Sequence, residues 1–359
     1  MPETDSPLDP KDVAEEAGLR YVEDGTPGIS RRPCGRGFTY LQPDGQTLRD
    51  PGERDRIENL AIPPAWTDVW ICRHPDGHIL ATGRDDRERK QYRYHPRWQD
   101  MRRRVRFERV LAFGRALPGL RSRVGRQLRA EEVDLAKVRA TAVRLLDRTG
   151  IRVGHAEYAE RNGTVGLTSL CGRHVHLSGS RIGLNYTGKG GVEISTIVRD
   201  EALARALEHL MKRSEDSVFG WNDGEDGEQT LRADDLNAWL RDTLHPTCSA
   251  KDFRTWRATV EVIDDLVRTE RPAADQRLGR YLGVVDRAAD LLSNTRSVVR
   301  SSYLPPGLEA LYTEGPFSRV AEQARARGET DVTPGRTREE RVAIPVLAYL
   351  VVGRGENSD

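Results

Sequence analysis

Long apolar runs are missing from this chain of 359 residues, which leaves no segment able to span a bilayer as a helix. The opening residues, Met1 to Pro10, are acidic and proline-bearing, unlike the basic-then-apolar pattern of a secretion signal. Cysteine is scarce. Cys34, Cys72, Cys171 and Cys248 are scattered without C-x-x-C spacing, so neither a zinc site nor a disulfide framework is indicated. Reduced thiols in a cytoplasmic protein are the plain reading. No glycine-rich loop of the Walker type is present, which argues against ATP as a co-substrate. Net charge is nearly absent as well: 57 Lys and Arg stand against 56 Asp and Glu, a balance of +1. What the chain does have is 37% hydrophobic residues, enough for a buried core. At this length about two domains are expected.

The charge average hides an uneven distribution. From Arg89 to Arg106 there are eight Arg or Lys residues and one acid, Asp100; from Glu215 to Asp235 there are eight acids and one base, Arg232. A protein that lies on nucleic acid needs positive charge only where the phosphates are, and its distant surface can be acidic. A solvated helix with a charged face would also explain the basic run. Tyr92, Tyr94 and Trp98, interleaved with it, favour nucleic acid.

The periodicity changes along the chain. Up to about Arg104 it reads as strands and turns: Phe38–Leu41 ends in Pro43-Asp44-Gly45, and Val69–Cys72 and His78–Ala81 flank the turn Pro75-Asp76-Gly77. Beyond Arg104 the period is helical. Leu135, Val138, Ala142, Leu145 and Leu146 mark one apolar face, with Gly150 as its stop. A three-strand meander at Val165–Leu170, His174–Leu177 and Arg181–Tyr186 interrupts the helices, and the pattern allows a fourth strand at Val192–Val198. Helices resume at Glu201–Lys212, Leu231–Leu244, Ala250–Val267 and Ala273–Leu292. The expected fold class is α+β. A β-rich domain over residues 1–104, ending in a basic linker, precedes a mainly helical domain over 105–359 with a small antiparallel sheet.

One constellation carries chemistry. Lys251-Asp252-Phe253-Arg254-Thr255-Trp256 is followed by Asn294 and then Tyr303; upstream lie Arg152, in Ile151-Arg152-Val153-Gly154, and Lys189, in the glycine turn Gly188-Lys189-Gly190-Gly191. Breaking a phosphodiester with a side-chain nucleophile needs three things. They are a group that forms a covalent phosphoryl link, fixed cations for the charge building on the phosphoryl oxygens, and an acid for the leaving oxygen. One Tyr, two Arg, one Lys and one Asn supply them. Each also has a plain structural reading: a solvated Arg152 at the start of the next helical segment, a surface Lys189, a terminator Asn294 after a helix, a core Tyr303. Lys251 and Arg254 lie three apart on one helical face that Ser249 and Asp252 can cap, and two adjacent cations repel unless an anion sits between them. His174 and His176 alternate as a metal edge could, without an evident third ligand, so no metal site is indicated.

The order Arg, Lys, Lys-x-x-Arg, Asn, Tyr resembles the type IB DNA topoisomerases, specifically their small bacterial and poxvirus branch. The resemblance extends through Ile62-Pro63-Pro64-Ala65-Trp66-Thr67-Asp68-Val69, Ala81-Thr82-Gly83, Arg89-Lys90-Gln91-Tyr92, Leu145 to Arg152, and Val165-Gly166-Leu167-Thr168-Ser169-Leu170. It implies relaxation of supercoiled double-stranded DNA through a 3′-phosphotyrosyl link on Tyr303, without cofactor, by a monomer that clamps the duplex in the cytoplasm, at the nucleoid. Arg152, Arg254 and Asn294 would hold the non-bridging oxygens, and Lys189, with Lys251 contributing, would protonate the 5′-oxygen. Poxvirus relatives carry histidine where Asn294 stands; asparagine donates a hydrogen bond but cannot carry a proton. Gln91, Tyr92, Tyr94, Tyr158, Lys90 and Arg93 would contact DNA. A tyrosine recombinase is the chief alternative, but that family places histidine where Lys251 stands and uses a helical N-terminal domain. A DNA-binding relative without activity is the other, against which the complete set of Arg152, Lys189, Arg254 and Tyr303 argues.

Overall fold

The computed structural model describes residues 9–154, 163–213, 216–222 and 227–352. Its contacts divide the chain into one unit at Met1–Arg106 and another at Phe107–Asp359. The first unit contains α1 (Pro10–Glu16), β1 (Ile29–Cys34), β2 (Gly37–Leu41), α2 (Pro51–Asn59), β3 (Thr67–Ile71), β4 (Ile79–Arg84) and β5 (Lys90–Tyr94). The strands form one antiparallel sheet in the order β2-β1-β3-β4-β5. Both short helices begin on an aspartate followed by proline. Asp9 accepts from the Lys11 amide at 2.9 Å and Asp50 from the Glu53 amide at 2.7 Å, satisfying donors that a helix start leaves open. Ile57 of α2 packs with Ile29, Tyr40, Val69, Ile71 and Ala81 of the sheet.

Helical structure begins earlier than the periodicity suggested. The next helix, α3 (Pro96–Leu128), starts inside the basic run, which is therefore a strand followed by the first turns of a helix. Trp98 is a second correction. It is 5% exposed and meets His78 edge-on with ring centroids 4.6 Å apart, so it fills a small core with Val13, Ala14 and Leu19 and offers no face to a nucleic acid.

The second unit continues with α4 (Leu135–Thr149), β6 (Val175–Ser178), β7 (Arg181–Gly188), β8 (Val192–Arg199), α5 (Glu201–Met211), β9 (Gly220–Asn222), β10 (Glu228–Thr230), α6 (Ala233–Thr243), α7 (Ala250–Arg268), α8 (Arg277–Leu291), α9 (Arg296–Ser302), α10 (Leu308–Thr313), α11 (Phe317–Thr330) and α12 (Arg338–Val352). Helix α7 is buried on most of its faces, Arg254 and Asp264 included, which places it inside the bundle. Gly114 of α3 lets the two helices touch, since a Cβ there would lie 2.1 Å from the Trp256 ring. Arg121 of α3 joins Asp147 of α4 at 2.8 Å and Glu340 of α12 at 2.7 Å, and Glu340 also accepts from the Trp256 indole at 2.8 Å. Charges buried this deeply are tolerable because each is met; losing one member would strand the others.

The small sheet has the order β6-β7-β8. Its third strand is the Val192–Arg199 segment, and Val165–Leu170, expected as a strand, is not one: it carries a single 3-10 turn at Leu167–Ser169. Its backbone bonds are used elsewhere. The Leu167 amide donates to Arg152 O at 2.8 Å and the Thr168 amide to Val153 O at 2.9 Å. Strand β6 covers β7 only from Arg181 to Leu184, which leaves Thr187 O to accept from the Val165 amide at 2.8 Å. Where the 151–154 and 165–170 segments cross, a Cβ on Gly166 would lie 2.6 Å from Gly154 Cα, so only glycine permits the approach. Arg152 accordingly sits in irregular backbone, and residues 155–162, over which the expected helical segment would run, lie outside the described residues.

Candidate active site

Helix α4 ends on Gly150, whose φ of 64° is the left-handed conformation that glycine adopts without strain. Two residues later Arg152 projects across the second unit. Its Nη2 donates to Asn294 Oδ1 at 2.8 Å and to Ser293 O at 3.3 Å. Asn294 is held in turn by its own amide, which donates to Ala289 O at 2.9 Å, and by Nδ2 donating to Leu292 O at 3.3 Å.

Arg254 enters from α7, whose start is closed by the Ser249–Asp252 capping box. The side chain is 6% exposed, and its guanidinium lies between two helix ends. Nη1 donates to Gly150 O behind α4, and Nη2 to Leu292 O behind α8 at 2.7 Å. Terminal carbonyls carry the negative end of the helix dipole, so this is a favourable seat for a cation. Nε is buried and has no partner. Three residues on, Arg257 donates to Arg148 O, giving the end of α4 a second cation.

Tyr303 caps α9 and is 7% exposed. Its backbone is fixed at both poles: the amide donates to Val299 O, and the carbonyl accepts from Thr259 Oγ1 of α7, each at 2.9 Å. The Arg254 guanidinium carbon lies 5.9 Å from the centre of the tyrosine ring. Burial pushes the phenol toward a higher pKa, but a hydrogen bond and charge from Arg254, with Arg152 and Lys251 adding to the field, outweigh it and hold Tyr303 below its ordinary value.

The structure thus gathers Tyr303, Arg152, Arg254 and Asn294, with Lys251 exposed one helical turn before Arg254 and within electrostatic reach. Lys189 is not part of that cluster. It stands exposed at the tip of the β7–β8 hairpin, beside Gly190 and Gly191 at φ of 82° and 76°. Two residues, one bonded to Tyr303 and one in the field of the arginines, escaped sequence reasoning. Thr259 had no distinguishing signal. Tyr186 had one, its inward register on β7 with Ile182 and Leu184, three residues before Lys189. His174 proves to be a local fastener, its Nδ1 accepting from the Cys171 amide at 3.0 Å.

In the first unit the residues expected on DNA share β5. Lys90 pairs with Asp24 at 2.6 Å, Gln91 donates to Asp85 at 2.9 Å, and Arg93 donates to Ala61 O at 2.7 Å while its guanidinium lies 5.9 Å from the Trp66 ring centre. Tyr92 and Tyr94 stack with centroids 5.5 Å apart. Tyr158 lies outside the described residues. Among the described residues no helix is long and apolar enough to cross a membrane.

Comparison with known proteins gives these observations a context. Residues 95–313 match the family model described as eukaryotic DNA topoisomerase I, catalytic core, and residues 37–85 match bacterial DNA topoisomerase IB, N-terminal domain. A protein of Acanthamoeba polyphaga mimivirus named DNA topoisomerase 1B is 30% identical over 297 residues, spanning 80% of this chain and 88% of the viral one.

Proposed function

This chain belongs to the type IB DNA topoisomerase family, and from that footing we propose that Tyr303 is its nucleophile and the groups around it its phosphate site. The Tyr303 oxygen, its proton lost to solvent under the field of Arg254 and Arg152, attacks a backbone phosphorus of duplex DNA, the bond to the 5′-oxygen breaks, and a 3′-phosphotyrosyl strand forms. Arg152 and Arg254 meet the charge that grows on the non-bridging oxygens, with a hydrogen bond from Asn294 Nδ2. Lys189 delivers a proton to the departing 5′-oxygen as its hairpin meets the DNA, and Lys251 contributes. Rotation of the free end relaxes supercoils, and the 5′-hydroxyl then attacks the tyrosyl ester to reseal the strand. Because the ester conserves the energy of the broken bond, neither ATP nor a divalent metal enters the cycle. The enzyme acts as a cytoplasmic monomer on supercoiled DNA at the nucleoid, and β5 of the first unit contributes DNA contacts.

One observation carries this reading: Tyr303 is buried against Arg254, with Arg152 and Lys251 near enough to make its hydroxyl more acidic. The test is relaxation of a supercoiled plasmid in EDTA without ATP, with detergent trapping of the covalent complex. Tyr303→Phe should abolish both relaxation and adduct while DNA binding stays within about twofold, because only the attacking oxygen is lost. An adduct formed by Tyr303→Phe would refute the assignment.

A further inference from the structure

Tyr186 brings a second phenol to the same cations. It lies on β7 opposite Ile194 of β8, faces inward with Ile182 and Leu184, and is 7% exposed. Backbone bonds fix its place relative to Arg152. The residue next to it, Thr187, accepts from the Val165 amide at 2.8 Å, and two residues beyond Val165 the Leu167 amide donates to Arg152 O at 2.8 Å. Tyr186 therefore lies on a strand that backbone bonds tie to the loop presenting Arg152, and the charges of Arg254 and Arg152 act on its phenol.

We propose that the Tyr186 hydroxyl donates a hydrogen bond to a non-bridging oxygen of the reacting phosphate, beside Arg152 and Arg254, and keeps its proton throughout the reaction. Among the described residues no group bonds this hydroxyl, so it is available to a ligand. A neutral donor suits the position. Arg254 has both Nη groups on carbonyls, and Arg152 has one Nη on Asn294, so a phosphate oxygen arriving there has fewer free N–H groups than two guanidinium ions suggest. The two phenols are also tuned apart. Burial pushes Tyr186 up to about 12, with Arg254 and Arg152 opposing, whereas the same cations prevail at Tyr303 and hold it below its ordinary value. Two titratable groups separated in this way divide their labour, one as nucleophile and one as a donor that does not ionise.

The inference rests on the phosphotyrosyl reading above, so its test reports on each separately. Single-turnover cleavage and religation are measured for the parent enzyme and for Tyr186→Phe, which removes one oxygen and keeps the ring. The substrates are an ordinary phosphate and the two methylphosphonate isomers, in which one or the other non-bridging oxygen is a methyl group. Expected is a loss of roughly 10- to 100-fold in both cleavage and religation on the ordinary phosphate, with unchanged DNA affinity and thermal midpoint. The loss should persist with one isomer and vanish with the isomer that lacks the oxygen Tyr186 meets. Equal rates for parent and variant would overturn the proposal. So would the same deficit on all three substrates, which would make Tyr186 a packing residue. A parent enzyme that forms no covalent adduct would instead sink the nucleophile assignment.

Discussion

Thr259 and Tyr303 are joined by a hydrogen bond of 2.9 Å from the threonine hydroxyl to the tyrosine carbonyl. Thr259 lies on α7, the helix that carries Arg254, so a single buried helix sets both the cation and the backbone of the phenol above it. Thr259→Val preserves shape and removes the donor, leaving the Tyr303 carbonyl without its side-chain partner. Unfolding in urea should show a loss of about 1–3 kcal/mol, the range for stranding a buried polar group. Cleavage should slow as well, because the phenol loses its registration against Arg254. A variant with parental stability and parental cleavage would show that the bond contributes to neither.

Lys189→Ala should slow cleavage of an ordinary phosphate by about 10²–10⁴-fold, the range for lost acid catalysis. Replacing the 5′-oxygen by sulfur gives a leaving group that departs without protonation, so this substrate should largely restore the variant. An identical deficit on both substrates would mean that Lys189 acts through charge or binding alone. The exposed hairpin tip makes gross unfolding of this variant unexpected.

Lys90 pairs with Asp24 at 2.6 Å, and Asp24 also accepts from Thr82 at 2.9 Å. If β5 lies on DNA, Asp24 competes with a phosphate for Lys90. Asp24→Asn keeps an acceptor for Thr82 but releases the lysine. Log affinity against log salt should then steepen by up to about 0.9, the slope expected for one added phosphate contact. Adding Lys90→Ala to that variant should reverse the change. Coincident salt titrations for all three proteins would remove Lys90 from the DNA surface.

His78 is buried between Tyr21 and Trp98, and burial holds its imidazole at about 4 rather than 6.5. The unfolded chain binds the extra proton between those two values, so this residue's contribution is complete above pH 6.5. It is lost as pH falls from there toward 4 and stays level below. The full difference amounts to roughly 3 kcal/mol for the first unit. An NMR titration of the His78 ring decides the matter, since a midpoint near pH 6.5 would abolish the effect.

Sequence and structure part company where one backbone feature can serve two folds. Tyr303, Arg254, Arg152 and Asn294 could be named in the chain because their order matched a family, and the structure draws them together. Helix α4 was legible from its apolar face and its Gly150 stop. Val165–Leu170 alternates like a strand, yet its amides bond Thr187, Arg152 and Val153, partners that alternation cannot foresee. Trp98 looked like a surface aromatic because its neighbours are basic; the helix starting at Pro96 turns it inward onto His78 instead. Lys90 and Arg93 of β5 were expected on DNA; the sequence did not reveal that Asp24 and the Ala61 carbonyl, distant in the chain, also bond them. Thr259 carries no signal in the chain, and the alternation that turns Tyr186 inward does not say what it meets.

The glycine crossing of Gly154 and Gly166 has a mechanical consequence. With 2.6 Å between a would-be Cβ and the opposing Cα, the two backbones have no slack, and amide bonds on either side tie Leu167 to Arg152 and Val165 to Thr187. The hairpin bearing Lys189 and the loop bearing Arg152 are therefore joined through peptide groups, and a displacement of the one is expected to be felt by the other. The amides of Val165 and Leu167 should then exchange with deuterium at matched rates, and slow together when DNA binds. Independent rates would mean that the two segments move separately.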